Sequence, residues 1–161
     1  MTAASLKDLQ YEDLKYSGWK KAETSLTFDG GTTNDPGDFD GTGNPSTLFT
    51  VTGAVEVKFL CYCTDTLTGA SATIEVGTAK TTAGLIAQTT AANIVVNEIW
   101  HDATPDASIE ATTILATTAL GQKTVIQDII CTVGTANITA GTLKFVCLWR
   151  PLTEDGKVVS A

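Results

Sequence analysis

Residues 47–63 read TLFTVTGAVEVKFLCYC, and the second half of that stretch decides the fold. Val55, Val57, Phe59, Cys61 and Cys63 alternate with Glu56, Lys58, Leu60 and Tyr62. Successive side chains of a strand point to opposite faces, so this period of two puts the first set on a core and the second outside. Outward along the chain the pattern recurs. Ala70–Val76 turns Ala72, Ile74 and Val76 inward against Thr73 and Glu75. Residues 123–133 place Val125, Ile129, Cys131 and Val133 on one face, and residues 142–150 do the same with Leu143, Phe145, Cys147 and Trp149 before Pro151 closes the strand. Shorter segments at Ser25–Phe28, Gly84–Thr89, Asn93–Trp100 and Ser108–Leu115 bring the expectation to about eight strands. Turn signals lie between them, such as Leu67-Thr68-Gly69, Pro105-Asp106 and Gly134-Thr135-Ala136-Asn137. Short strands with regular turns predict an all-β fold, a single jelly-roll-like β-sandwich.

The bulk composition agrees. The chain has 161 residues, the size of one domain able to bury a core without disulfide staples. Roughly a fifth of it is threonine, a residue stiff at χ1 and suited to a pleated surface. Net charge is −8, and beyond Lys20-Lys21 no basic cluster exists to replace counterions on nucleic acid, so a nucleic-acid partner is not expected. The start, MTAASLKDLQ, has no basic segment followed by an apolar run, and no run approaches bilayer length. Neither a signal peptide nor a membrane partner is expected, and assembly in a cytoplasm is.

Residues 1–22 differ from the rest: lysine-rich, with few β-branched residues. They are read as an N-terminal arm, with Leu6, Leu9 and Tyr16 able to share one face of a short helix and Gly18 ending it. The β domain is expected over 23–150 and a C-terminal tail over 151–161.

Candidate chemistry is sparse. Cys61, Cys63, Cys131 and Cys147 all fall within apolar strand-like runs. Cys61 and Cys63 would sit about 6.6 Å apart on one face, at the edge of disulfide reach, and none of the four forms the C-x₂₋₄-C knuckle of structural zinc. Buried, reduced, metal-free thiols are expected. The single histidine, His101, precedes Asp102, but strand neighbours point apart, and no nucleophile elbow, zinc helix or phosphate loop accompanies them. The pair is read as ending a strand and opening the turn through Pro105, and the chain as no enzyme, with no cofactor and no metal. Trp19, Trp100 and Trp149 suit either a sugar platform or packing, and Trp149 alternates with core residues.

The long loop DGGTTNDPGDFDGTGNP, residues 29–45, carries Asp29, Asp35, Asp38 and Asp40 with Asn34 and Asn44. These supply oxygen donors for calcium, but no glutamate closes an EF-hand spacing, and Asp, Asn, Gly and Pro are also what turns require. A loop this long inside a compact domain is usually functional. Phe39, its one large apolar side chain, is read as an anchor into a partner flanked by Asp38 and Asp40, with Leu6, Leu9, Tyr16 and Trp19 of the arm as further contacts.

Taken as strings, SLTFDGGTTNDPGDFDGTGNPSTLFTVTG, ATIEVGTA, IAQTT, NEIWHDATPD, GTANITAGTLKF and CLWRPL resemble small proteins encoded among the virion genes of tailed bacteriophages, over about residues 23–152. The acidic, Thr/Ala/Gly-rich composition is similar to that of capsid decoration (cement) proteins. The resemblance implies a compact β domain, commonly trimeric, whose arm ties neighbouring capsid subunits. On it the chain is expected to be a virion structural protein on the capsid exterior, a homotrimer bound to the major capsid protein. A tail, fibre or head-fibre component and a lectin-like glycan-binding module stand as alternatives.

Overall fold

The computed structural model describes residues 18–31, 34–105 and 120–161. The described chain is an all-β sandwich of two antiparallel five-stranded sheets. Its strands are β1 (Lys20–Thr27), β2 (Ser46–Thr52), β3 (Val55–Thr68), β4 (Thr73–Thr78), β5 (Thr81–Thr90), β6 (Ile99–Trp100), β7 (Lys123–Val125), β8 (Ile129–Gly134), β9 (Ala140–Pro151) and β10 (Lys157–Ser160), with one 3₁₀ turn at Ala91–Asn93. The first sheet runs β1-β9-β3-β6, with β7 also paired to β3, and the second runs β10-β2-β8-β4-β5. Apart from the β4–β5 hairpin and the β6–β7 link, every connection crosses from one sheet to the other. That wrapping is the jelly-roll-like feature of the fold.

The core follows from the alternation. The inward set of β3 (Val55, Val57, Phe59, Cys61, Cys63) and that of β9 (Leu143, Phe145, Cys147, Trp149) are buried, as are Ile129, Cys131 and Val133 of β8 and Ile74 and Val76 of β4. Phe49 of the second sheet meets Phe59 of the first edge-on, with centroids 5.9 Å apart at 85°, and Phe59 leans on Phe145 at 6.2 Å. Burial of each such ring is worth about 1.5–3 kcal/mol, so this inter-sheet stack anchors the two layers.

Several boundaries differ from the sequence reading. Strand β1 begins at Lys20, inside the segment read as an arm, with Lys20 and Lys21 opposite Trp149 and Leu148. Lysines at a sheet edge discourage pairing with other chains, and here they disguise a strand as polar linker. The tail 151–161 is not a tail: after Pro151 the chain turns back and Lys157–Ser160 pairs with β2, burying Val158 to 4% exposure. The run 123–133 is two strands in different sheets, since Ile126-Gln127-Asp128 forms a corner where Asp128 Oδ1 accepts the Val51 N–H at 2.9 Å. Of Asn93–Trp100 only Ile99–Trp100 is strand. The strand expected at Ser108–Leu115 lies outside the described residues, as do Leu6, Leu9 and Tyr16.

Where the edges of the two sheets approach, between β5 and β7, a cavity of ≈ 220 Å³ is lined by Gly77, Thr81, Gly84, Leu85 and Lys123. The Lys123 ammonium spans it, donating to the carbonyls of Gly84 (2.7 Å) and Leu85 (3.1 Å).

Candidate functional site

The described parts of the loop between Phe28 and Pro45, residues 28–31 and 34–45, are held by their own chain. Ile138, between β8 and β9, is gripped from both sides: Gly30 N–H donates to its carbonyl and its N–H donates to the Gly37 carbonyl, each at 2.9 Å. Gly37 sits at φ 103°, and a Cβ there would run into the Ile138 carbonyl, so this approach requires glycine. Asn137 adds a second clamp: its amide nitrogen donates to the Gly30 carbonyl and its Oδ1 accepts the Phe39 N–H at 3.1 Å. At the far end Asn44 Nδ2 donates to the carbonyls of Phe39 (2.8 Å) and Val133 (2.7 Å). Phe39 therefore has its N–H and its carbonyl both engaged while its side chain stays 40% exposed.

The four aspartates divide. Asp38 is buried to 5% exposure, and its carboxylate accepts the Asn34 N–H at 3.2 Å where Asn34 takes a positive φ of 76°. That corrects its reading as a partner contact, because a carboxylate turned inward to organise a turn is not offered to a neighbour. Asp40 and Asp29 are exposed and Asp35 is half-buried. Partial desolvation pushes the Asp35 carboxyl up, and the charges of Asp29 and Asp38 push it further the same way. Among the described residues, no group of three or more His, Cys, Asp or Glu side chains is placed to hold a metal ion.

Trp19 lies on the outer face of the first sheet, away from the loop. One residue before Lys20, it falls opposite Arg150, and its ring is approached by the Arg150 guanidinium at 5.1 Å and the Lys58 ammonium at 5.2 Å. Exposed cation–π contacts of this kind contribute about 0.5–1 kcal/mol each. Trp100 and Trp149 are core residues, at 0% and 7% exposure.

Sequence reading missed the surface around Trp19. The outward halves of β3 and β9 are not simply polar: Leu60 pairs with Val146, Lys58 with Leu148, Tyr62 with Lys144 and Glu56 with Arg150. Glu23 of β1, beside Val146, bridges Lys21 at 3.1 Å and Lys144 at 3.4 Å. The signal was present, since Leu60, Tyr62, Val146 and Leu148 fill positions that a solvated face would give to polar residues, but only the register shows that they adjoin. Also unanticipated are Ile126 and Leu152, exposed at 69% and 51% beside the start of β3.

The remaining candidates are structural in placement. All four cysteines are free and buried. Burial pushes the Cys63 thiol up to about 11 and Cys147 to about 12, and it raises Cys61 and Cys131 as well, the reverse of what a thiolate nucleophile needs. His101 and Asp102 are closer than strand alternation predicts, with Nδ1 and Oδ2 3.8 Å apart, because β6 ends at Trp100. Asp102 serves the turn: its Oδ1 accepts from the Thr104 N–H at 2.8 Å, and its carbonyl accepts from Trp100 Nε1 at 3.0 Å.

What fold and site define is a class, an all-β sandwich presenting a clamped acidic loop at one place and a cationic, partly apolar sheet face at another. No family model, curated protein or solved structure matches the chain.

Proposed function

We propose that this chain is a non-enzymatic structural protein of a tailed-bacteriophage virion, one that decorates and stabilises the capsid exterior as a homotrimer bound to the major capsid protein. The observation that carries the reading is Phe39: an aromatic side chain left in water on a loop whose backbone is fixed from both sides. A rigid, pre-formed anchor loses little conformational entropy on docking, which is what an assembly contact requires. The likeness of the loop and strand motifs to phage virion proteins points the same way. Burial of Trp100 and Trp149 in the core leaves little aromatic surface for a sugar platform, which favours assembly over a lectin-like role.

The test is to mix the purified protein with capsids that lack it and sediment the particles. Saturable binding at a fixed copy number is expected, with affinity falling about tenfold to a hundredfold in Phe39→Ala. Failure to bind capsids, together with binding to purified tails or fibres, would move the chain to the tail or head-fibre class. Binding to immobilised glycans alone would sink the assembly reading.

A further inference from the structure

The chain is acidic overall, yet among the described residues four cations, Lys21, Lys58, Lys144 and Arg150, share the outer face of the first sheet with three carboxylates, Glu23, Glu56 and Asp65. Glu23 is occupied by Lys21 and Lys144 and Glu56 by Arg150, which leaves Lys58, stacked on Trp19, as surplus charge. Through the middle runs the apolar strip of Leu60, Val146 and Leu148. A net-positive apolar face on a molecule of net charge −8 is complementary to most of the molecule's own surface.

Among the described residues, the best match on the chain itself is the Phe39 loop. It offers one exposed aromatic ring with Asp40 and Asp29 in solvent and Asp35 half-buried. Its carboxylates crowd one another inside a single copy, a repulsion that external cations relieve. Its backbone is already fixed on Ile138 and Asn137, so little ordering remains to be done on contact. Face and loop are different patches, so a contact between them is head-to-tail, and such a contact closes into a ring or continues as a chain of copies.

We propose that the outer face of the first sheet is a self-association surface that receives the Phe39 loop of a second copy, with Phe39 on the Leu60–Val146 strip and Asp35 and Asp40 against Lys58 and Lys144. The inference deepens the assembly reading and rests on it: Phe39 then docks on a neighbouring copy, and the weaker capsid binding of Phe39→Ala follows from the lost self-association. It is tested on the purified chain alone, so its failure and failure to bind capsids are separate results.

Sedimentation velocity on the full chain is expected to show self-association at micromolar concentration that weakens as salt rises, since rim charges are screened. Leu60→Asp disables the face and Phe39→Ala the loop, and each should weaken association about tenfold to a hundredfold while leaving the far-UV strand signal intact. Lys58→Glu replaces Leu60→Asp if the latter does not fold. The decisive arm is an equimolar mixture of a face variant and the loop variant. One intact face then meets one intact loop, and the mixture should recover dimers but nothing larger. A monomeric wild type, variants that associate as the wild type does, or a mixture that stays monomeric would each overturn the proposal.

Discussion

The side-chain amide of Asn44 pairs with the backbone of Val133 as a neighbouring strand residue would: Oδ1 accepts the Val133 N–H at 3.0 Å and Nδ2 donates to its carbonyl at 2.7 Å. The side of β8 that β2 leaves unpaired beyond Ser46 is thus completed by a side chain from the loop. Removing it leaves both backbone groups of the buried Val133 without that partner, and an unsatisfied buried polar group costs about 1–3 kcal/mol. Asn44→Ala should lower the thermal midpoint by several degrees. Asn44→Asp, which keeps the acceptor but turns an anion towards the Val133 carbonyl, should do no better. Calorimetry of both variants checks this, and unchanged midpoints would mean that water replaces the amide without loss.

Gly37 is the second loop position with a steep dependence on side chain. Its positive φ and its approach to the Ile138 carbonyl both exclude a Cβ. Gly37→Ala should destabilise the fold by about 1–3 kcal/mol and release the loop locally. Hydrogen exchange at the Gly30 and Ile138 amides, which bond across this contact, should accelerate more than exchange in β9. Equal acceleration everywhere would show that the loop does not open independently.

The cysteines predict a pH dependence. Burial holds Cys63 and Cys147 protonated up to about 11 and about 12, against an ordinary value of 9.0 that the unfolded chain restores. Above pH 9 the unfolded state releases thiol protons before the native state does. The stability they contribute is therefore whole below that pH and is lost as pH rises through the native values. Urea midpoints should be flat in this respect up to pH 9 and fall between pH 9 and 11, and a variant with all four cysteines replaced by alanine should lose part of that slope. Thiol labelling of native protein should be slow and become complete on denaturation. Fast labelling at neutral pH would place a thiol at the surface.

Deleting residues 157–161 tests β10. Val158 is buried, and the Ala161 N–H donates to the Leu48 carbonyl at 3.1 Å, so truncation uncovers the edge of β2 along with part of the core. A loss of about 2–4 kcal/mol is expected from the exposed apolar area and the lost pairing, with a greater tendency to aggregate through the bare edge. A truncated chain that is as stable and as soluble as the whole would return this segment to the status of a tail.

Legibility in the sequence followed locality. The inward sets of β3, β4, β8 and β9 could be named residue by residue, because alternation is a property of adjacent side chains and one buried face enforces it. Strands at the edges were harder. β1 begins with two lysines and β10 is four residues long after a turn, and neither needs a strong apolar pattern when only one side is paired. At the loop, Phe39 stood out as the lone aromatic, but nothing in DPGDFDG separates the buried Asp38 from the exposed Asp40 two residues on.

The sequence by itself determined that this chain is an all-β sandwich with buried cysteines and a long, turn-rich acidic loop, since periodicity and turn chemistry act over a few residues. Only the tertiary structure decided what lies next to what. Ile138 clamps Gly30 and Gly37, Asn44 completes β8, and Lys58, Leu60, Lys144 and Val146 come together across β3 and β9. Those relationships join residues tens of positions apart, and a strand pattern of period two fixes which face a side chain takes but not which strand lies beside it.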